Sequence, residues 1–177
     1  WYETVQMKEF VRTILDYPVK GIQFRDITTL LQDSKHFENV IDQMTEPWIN
    51  KKIDAIVSIE SRGFIMAGAI AYKLKTAFIP FRKPDKLPGE TYKVSYTLEY
   101  GSTEMHVHKD ALDDHINVLI IDDLLATGGT ALAAVELINK FENKNIVGAG
   151  FIINLPELKG DQKLISKGIK IHSLMEF

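Results

Sequence analysis

The run Val118-Leu-Ile-Ile-Asp-Asp-Leu-Leu-Ala-Thr-Gly-Gly-Thr130 constrains the fold more than any other stretch of the chain. Val118 to Ile121 are continuously apolar, the pattern of a central parallel strand covered on both faces, so Asp122 and Asp123 fall at its C-terminal end. Open α/β sheets bind ligands at that end. Ala126 to Thr130 are small enough for backbone N–H groups to approach a ligand, and the spacing of Leu132, Val135, Leu137, Ile138 and Phe141 predicts a following helix. A helix N-terminus fed by such a turn attracts anions through its unpaired N–H groups and its dipole.

The same alternation recurs along the chain. Ala55 to Ile59 reads as a buried strand, Gly63 to Leu74 as an apolar helix, Ala77 to Ile79 as a short strand and Ile146 to Ile153 as another. Repeated β-α-β units predict an α/β fold: an open, mainly parallel sheet flanked by helices. Nearer the start, Phe10, Val11, Ile14 and Leu15 predict a helix ended by Pro18 and Gly21, and Ser34 is the expected cap of a second helix carrying Phe37, Val40, Ile41, Met44 and Trp48. From Pro80 to Asp110 a Lys/Pro/Gly-rich loop precedes two alternating segments, Thr97 to Tyr100 and Glu104 to His108, that read as an inserted β-hairpin and a candidate lid. With 177 residues and no internal repeat or linker, one domain over 1–177 is expected.

Composition narrows the classes of function. A net charge of −3 and a pI near 6.0 argue against a general nucleic-acid or membrane-surface binder, so any cationic site is local. The absence of Cys excludes disulfides and thiolate metal sites and fits a reducing cytosol. No apolar run reaches membrane-spanning length and no leader pattern opens the chain, so a soluble, cytoplasmic protein is expected; because the chain starts at Trp1, a short preceding segment is expected too. His106 and His108 share one strand face, but no third ligand lies at matching spacing, so a protein-held metal is not expected there.

A Gly-Gly pair before a helix is by itself often only a tight turn, and an Asp-Asp pair is often a cap or a solvated turn. Here the loop lacks the Lys of a nucleoside-triphosphate cradle, and no Gly-x-Gly-x-x-Gly spacing marks a dinucleotide site. What remains is a phosphate cradle beside two carboxylates suited to a sugar diol or to positive charge developing on a ribose ring. The run resembles the 5-phosphoribosyl-1-pyrophosphate (PRPP) motif of the type I phosphoribosyltransferases. The resemblance implies that Asp122 and Asp123 contact the ribose hydroxyls and that Ala126, Thr127, Gly128, Gly129 and Thr130 bind the 5-phosphate.

Other segments fit the same family in order. Glu60-Ser-Arg-Gly63 ends the strand Ala55 to Ile59, and is either a capped turn with a surface Arg or a second anion site on the same sheet edge. By resemblance it is the pyrophosphate loop, with Glu60, Ser61 and Arg62 as contacts and Glu60-Ser61 as the place of a cis peptide. Arg82, Lys83 and Lys86 lie in a segment that otherwise reads as a solvated loop; as part of a lid over 82–108 they would bind the leaving pyrophosphate while the lid excludes water.

Ser95-Tyr-Thr-Leu-Glu-Tyr-Gly101 resembles the signature of the adenine phosphoribosyltransferases. That likeness makes Glu99 the candidate general acid/base and Tyr100 a lid residue, although a lone Glu is more commonly an exposed strand residue. Gly21-Ile-Gln-Phe-Arg-Asp-Ile27 resembles the same family's base-binding hood, within 1–34. There Phe24 would stack on the base while the backbone at Gln23 and Arg25 reads the purine edge; without the likeness Phe24 reads as a core residue.

Taken together, the resemblance implies purine salvage: adenine and PRPP give AMP and pyrophosphate. Mg²⁺ is expected to ride on PRPP oxygens and water, and a homodimer is expected, with Arg82 a candidate to serve the neighbouring subunit's site. Two alternatives stay open, a phosphoribosyltransferase for hypoxanthine, guanine or xanthine and a PRPP-sensing regulator without catalysis.

Overall fold

The computed structural model describes residues 7–98 and 101–177, which fall into two compact units, Trp1–Gln43 and Met44–Phe177. In the first, β1 (Arg12–Leu15) and β2 (Gln23–Asp26) form an antiparallel hairpin with Ile14 opposite Phe24. The helix expected around Phe10 to Leu15 is therefore corrected to a strand across Arg12–Leu15. Ile14 and Leu15 match a helical stripe in spacing, but pairing with 23–26 decides the backbone. The connection turns through Asp16 at φ 54°, a cis Tyr17-Pro18 bond and Gly21 at φ 92°, while the Gly21 amide donates to Asp16 Oδ1 at 2.7 Å.

After a single turn, α1 (Thr28–Leu31), comes α2 (Ser34–Thr45). Its cap is Asp33 and not Ser34: Asp33 Oδ1 accepts from the Lys35 and His36 amides at 2.9 and 3.0 Å, and these bonds hold its carboxyl below the usual range. Val40, Ile41 and Met44 are buried, as is Trp48 in the tight turn Glu46–Trp48.

The second unit is built on a parallel sheet of β3 (Ala55–Ile59), β4 (Ala77–Phe81), β7 (Asn117–Leu125), β8 (Asn145–Asn154) and β9 (Ile171–Glu176), in the order β4-β3-β7-β8-β9. Helix α3 (Gly63–Leu74) connects β3 to β4, α4 (Gly129–Ile138) connects β7 to β8, and α5 (Gly160–Ser166) precedes β9. Ala55 to Ile59, Ser58 included, and the continuously apolar Val118 to Ile121 are buried, as strands covered by helices should be. Between β4 and β7, β5 (Thr91–Leu98) and β6 (Gly101–His108) pair as an antiparallel hairpin.

Val94, Met105 and Val107 place the hairpin in the main core, and Tyr92 meets Phe141 edge to face at 5.0 Å. Arg82 and His106 exchange backbone hydrogen bonds at 2.9 and 2.8 Å, tying the segment after β4 to β6. Both histidines have partners: His106 lies 2.9 Å from Thr91 Oγ1 and His108 lies 2.7 Å from the Pro88 carbonyl. No helix among the described residues is long and apolar enough to cross a membrane.

Candidate active site

Strand β7 runs further than its neighbour. Pairing with β3 stops at Ser58 opposite Ile121, whereas pairing with β8 continues through Asp122 and Leu124. The acid pair is therefore still in the strand but beyond its last pairing with β3, next to where the chain turns through 60–63 into α3. This placement corrects the expected strand end at Ile121. Continuous apolar residues mark where a strand is covered, and hydrogen bonding to β8 carries it further.

Successive strand residues point to opposite faces, so the two carboxyls meet different neighbours. Asp122 Oδ1 accepts from the Asp123 amide at 2.9 Å and faces Gly63, where an added Cβ would lie 2.7 Å from it and 2.6 Å from Ser58 Oγ. Asp123 Oδ2 lies 2.8 Å from Arg62 Nε. Both acids are buried. Burial pushes the Asp122 carboxyl well above the usual carboxylate range, the Asp123 charge adds to it, and Arg62 opposes it.

A cavity of about 400 Å³ joins these groups. It is lined by Glu60, Ser61, Arg62 and Lys83 on one side and by Asp122, Asp123 and every residue from Ala126 to Thr130 on the other. Gly128, at φ 88°, opens α4, so the amides of the first turn have no partners inside the helix and are available to an anion. The Glu60-Ser61 peptide is cis.

Two other expected site residues of the second unit do not line this cavity. Arg82 Nε is bonded to Glu60 Oε1 at 2.9 Å and does not line the cavity. Burial resists ionisation of Glu60, but the Lys83 amide and Arg82 outweigh it and hold the carboxyl below its usual range. Lys86 is exposed and also outside the lining. Gln23, Phe24 and Arg25 sit on β2 of the first unit. Phe24 is half-buried and not core, with its ring edge to face with the exposed Tyr17 at 5.2 Å. Glu99 and Tyr100 lie outside the described residues.

The structure adds residues that the motif reading passed over. Tyr96 and Leu98 line the cavity. Alternation along β5 was the available signal, because it puts Tyr92, Val94, Tyr96 and Leu98 on one face. Burial raises the Tyr96 phenol above its ordinary pKa, and the charges of Asp122 and Glu60 add to that. Gly160 and Lys163 touch the 126–130 loop from α5; nothing in the local sequence pointed to them.

Residues 24–173 match the family model of the phosphoribosyl transferase domain. An adenine phosphoribosyltransferase of Pelagibacter ubique (strain HTCC1062) is 51% identical over 173 residues, covering 98% of either chain. One from Chlorobaculum tepidum is 50% identical over 173 residues, covering 97% of either. Among solved structures, adenine phosphoribosyltransferase from Thermoanaerobacter pseudethanolicus superposes with a TM-score of 0.90 at 39% identity, over 98% of this chain and 99% of that one. The Saccharomyces cerevisiae enzyme, solved with D-2,5-dideoxy-2,5-imino-altritol 1,6-bisphosphate and adenine, gives 0.88 at 35% identity over 98% and 99%. With matches of this extent and a strand-end acid pair sharing one cavity with the loop 126–130, the chain belongs to the phosphoribosyltransferase family, among the adenine phosphoribosyltransferases.

Proposed function

We propose that the cavity holds PRPP across the ends of β3 and β7, with the 5-phosphate on Ala126 to Thr130, the ribose hydroxyls on Asp122 and Asp123, and the pyrophosphate toward Ser61, Arg62 and Lys83. The reaction is the purine-salvage transfer of the 5-phosphoribosyl group from PRPP to N9 of adenine, giving AMP and pyrophosphate. The observation that carries the assignment of groups is the 2.8 Å contact of Arg62 with Asp123. It puts a cation suited to pyrophosphate beside an acid suited to the ribose diol, inside one cavity with the anion-binding loop.

N9 attacks the anomeric carbon as the bond to the pyrophosphate oxygen breaks, and positive charge grows on the ribose ring. The acid pair offsets that charge, while Arg62 and Lys83 take up the negative charge that leaves. Glu99 is assigned acid/base work at the imidazole edge of the base, Tyr100 a part in closure, and Arg82 and Lys86 a share of the pyrophosphate. In the first unit, Phe24 supplies a stacking face and the backbone at Gln23 and Arg25 reads the purine edge. Its half-burial supports this reading, since a core ring has no face to offer.

Two adjacent carboxylates beside the proposed phosphate seat suit Mg²⁺ that keeps water and substrate oxygens. Asp122 and Asp123 would hold it through water, and when bound it offsets phosphate charge. The reading extends to a cytosolic homodimer. Ile65 and Tyr72, 48% and 89% exposed on the outer side of α3, give a second copy apolar surface to cover, and light scattering tests this.

An ultraviolet difference assay with PRPP, Mg²⁺ and each purine in turn tests the whole reading. AMP should form from adenine, with little product from hypoxanthine, guanine or xanthine. PRPP binding without turnover of any base would favour the sensor, and faster turnover of a 6-oxopurine the other alternative. Glu99→Gln should lower turnover by roughly 10²-fold with PRPP affinity retained; wild-type turnover would remove its acid/base role.

A further inference from the structure

We infer that the start of α5 is a positioning element for the phosphate loop, with Gly160 fixing the loop's backbone and Lys163 acting on it through the Thr127 carbonyl. The inference rests on reading Ala126 to Thr130 as the seat of the 5-phosphate. A loop containing two consecutive glycines has many backbone states, and an anion cradle binds well only if its N–H groups are held in place before the anion arrives.

The constraint comes from α5. The Gly160 amide donates to the Ala126 carbonyl at 3.2 Å. A Cβ at 160 would lie 2.4 Å from Ala126 O, 2.7 Å from Gly128 N and 2.9 Å from Thr127 C, all backbone atoms that cannot rotate away. The two backbones are in direct contact because residue 160 has no side chain. Lys159, at φ 61°, turns the chain into this position, and Asn154 Nδ2 holds Asp161 Oδ2 at 3.2 Å.

Lys163 follows on the next turn, and its Nζ donates to Thr127 O at 3.0 Å. A cation on that carbonyl polarises the Thr127–Gly128 peptide and strengthens its N–H as a donor, besides placing positive charge near the loop. Neither Gly160 nor Lys163 lines the cavity, so both reach a ligand only through the loop.

Steady-state kinetics on the full chain, with ribose 5-phosphate as a binding probe, separate this role from a merely structural one. Lys163→Met should raise KM for PRPP and weaken ribose 5-phosphate by a similar factor, about three- to tenfold for an exposed charged contact, with kcat and the adenine KM unchanged. Lys163→Arg should recover most of the loss, and high salt should shrink the difference from wild type. Gly160→Ala should have a larger effect, at least about tenfold on the PRPP KM, and the Lys163 pair decides the matter if that variant does not fold. Thr130→Val, which alters the cradle directly, separates the two levels of the reading. If it leaves ribose 5-phosphate binding intact, the phosphate loop is misassigned. If it weakens binding while Lys163→Met does not, or if Lys163→Met shifts every parameter alike, the positioning role is overturned.

Discussion

The turn after β3 and the loop after β7 stand at the same sheet edge and each leads into a helix, yet they are made of different material. Residues 60–63 work through side chains: Arg62 bonds Asp123, Glu60 bonds Arg82, and α3 begins against Asp122. The 126–130 loop brings no charged side chain and works through backbone held by α5. The contrast suits the two ends of the substrate in the proposed function. A 5-phosphate stays bound from PRPP to AMP, so a fixed cradle serves it throughout. Pyrophosphate has to leave, and ion pairs that can exchange partners let it go.

The sharpest break in that contrast is Gly63→Ala. The added methyl would meet Ser58 Oγ and Asp122 Oδ1 inside contact distance and Asp122 Cα at 3.3 Å, so α3 or the acid must move. The expected loss is about 1–3 kcal/mol of stability and on the order of 10²-fold in kcat/KM, since in the proposed function Asp122 contacts the ribose and a small misplacement of such a contact is costly. Ser58 Oγ is buried without a partner, so Ser58→Ala should cost little alone and recover part of the loss in the double variant. Chemical denaturation and kinetics of all three check this. A Gly63→Ala protein with wild-type stability and turnover would mean that α3 slides freely over β7.

Arg62→Gln comes next. It should raise the pyrophosphate KM of the reverse reaction roughly 10- to 100-fold, the range for losing a charge-assisted contact, while leaving ribose 5-phosphate binding nearly unchanged. Equal loss at both ends would erase the distinction between turn and loop. Asp123→Asn should be milder, weakening PRPP about tenfold, because the amide still accepts from Arg62 and from one hydroxyl. PRPP affinity equal to wild type in a direct titration would end its ribose role.

The difference in material also explains what was legible in the sequence. The sheet and its acid pair were readable because a strand buried on both faces is dominated by apolar residues, without a break in Val118 to Ile121 and with only Ser58 interrupting Ala55 to Ile59. The loop was readable because small residues before a helix are a local signal. Arg12–Leu15 misled because a short edge hairpin is decided by its partner strand, and four residues fit either periodicity. Asp33 displaced Ser34 as a cap because both are good caps, and only the observed geometry assigns the bonds to one of them. Gly160 and Lys163 were invisible for a stronger reason: their partners lie more than thirty positions away, and no pattern within α5 encodes that contact.

The smallest expected effect separates the two regions by pH. Burial raises the Asp122 pKa in the folded chain above the unfolded value of about 3.9. The proton it holds is therefore stabilising below about that pH, and the contribution is lost as pH rises through the folded value, leaving a buried charge that opposes folding in the ionised protein. Asn keeps the acceptor for the Asp123 amide and removes the charge. Asp122→Asn should therefore weaken PRPP yet stabilise the unliganded protein near neutrality by about 1 kcal/mol, or roughly 2–4 °C in Tm, a difference that fades on acidification. Thr130→Val, in the loop without a titrating group, should shift Tm by the same amount at every pH. Melting curves of both variants and the wild type from acid to neutral pH make the comparison. An Asp122→Asn profile parallel to wild type would show that the acid titrates at its ordinary value, and that the turn and the loop respond alike to protons.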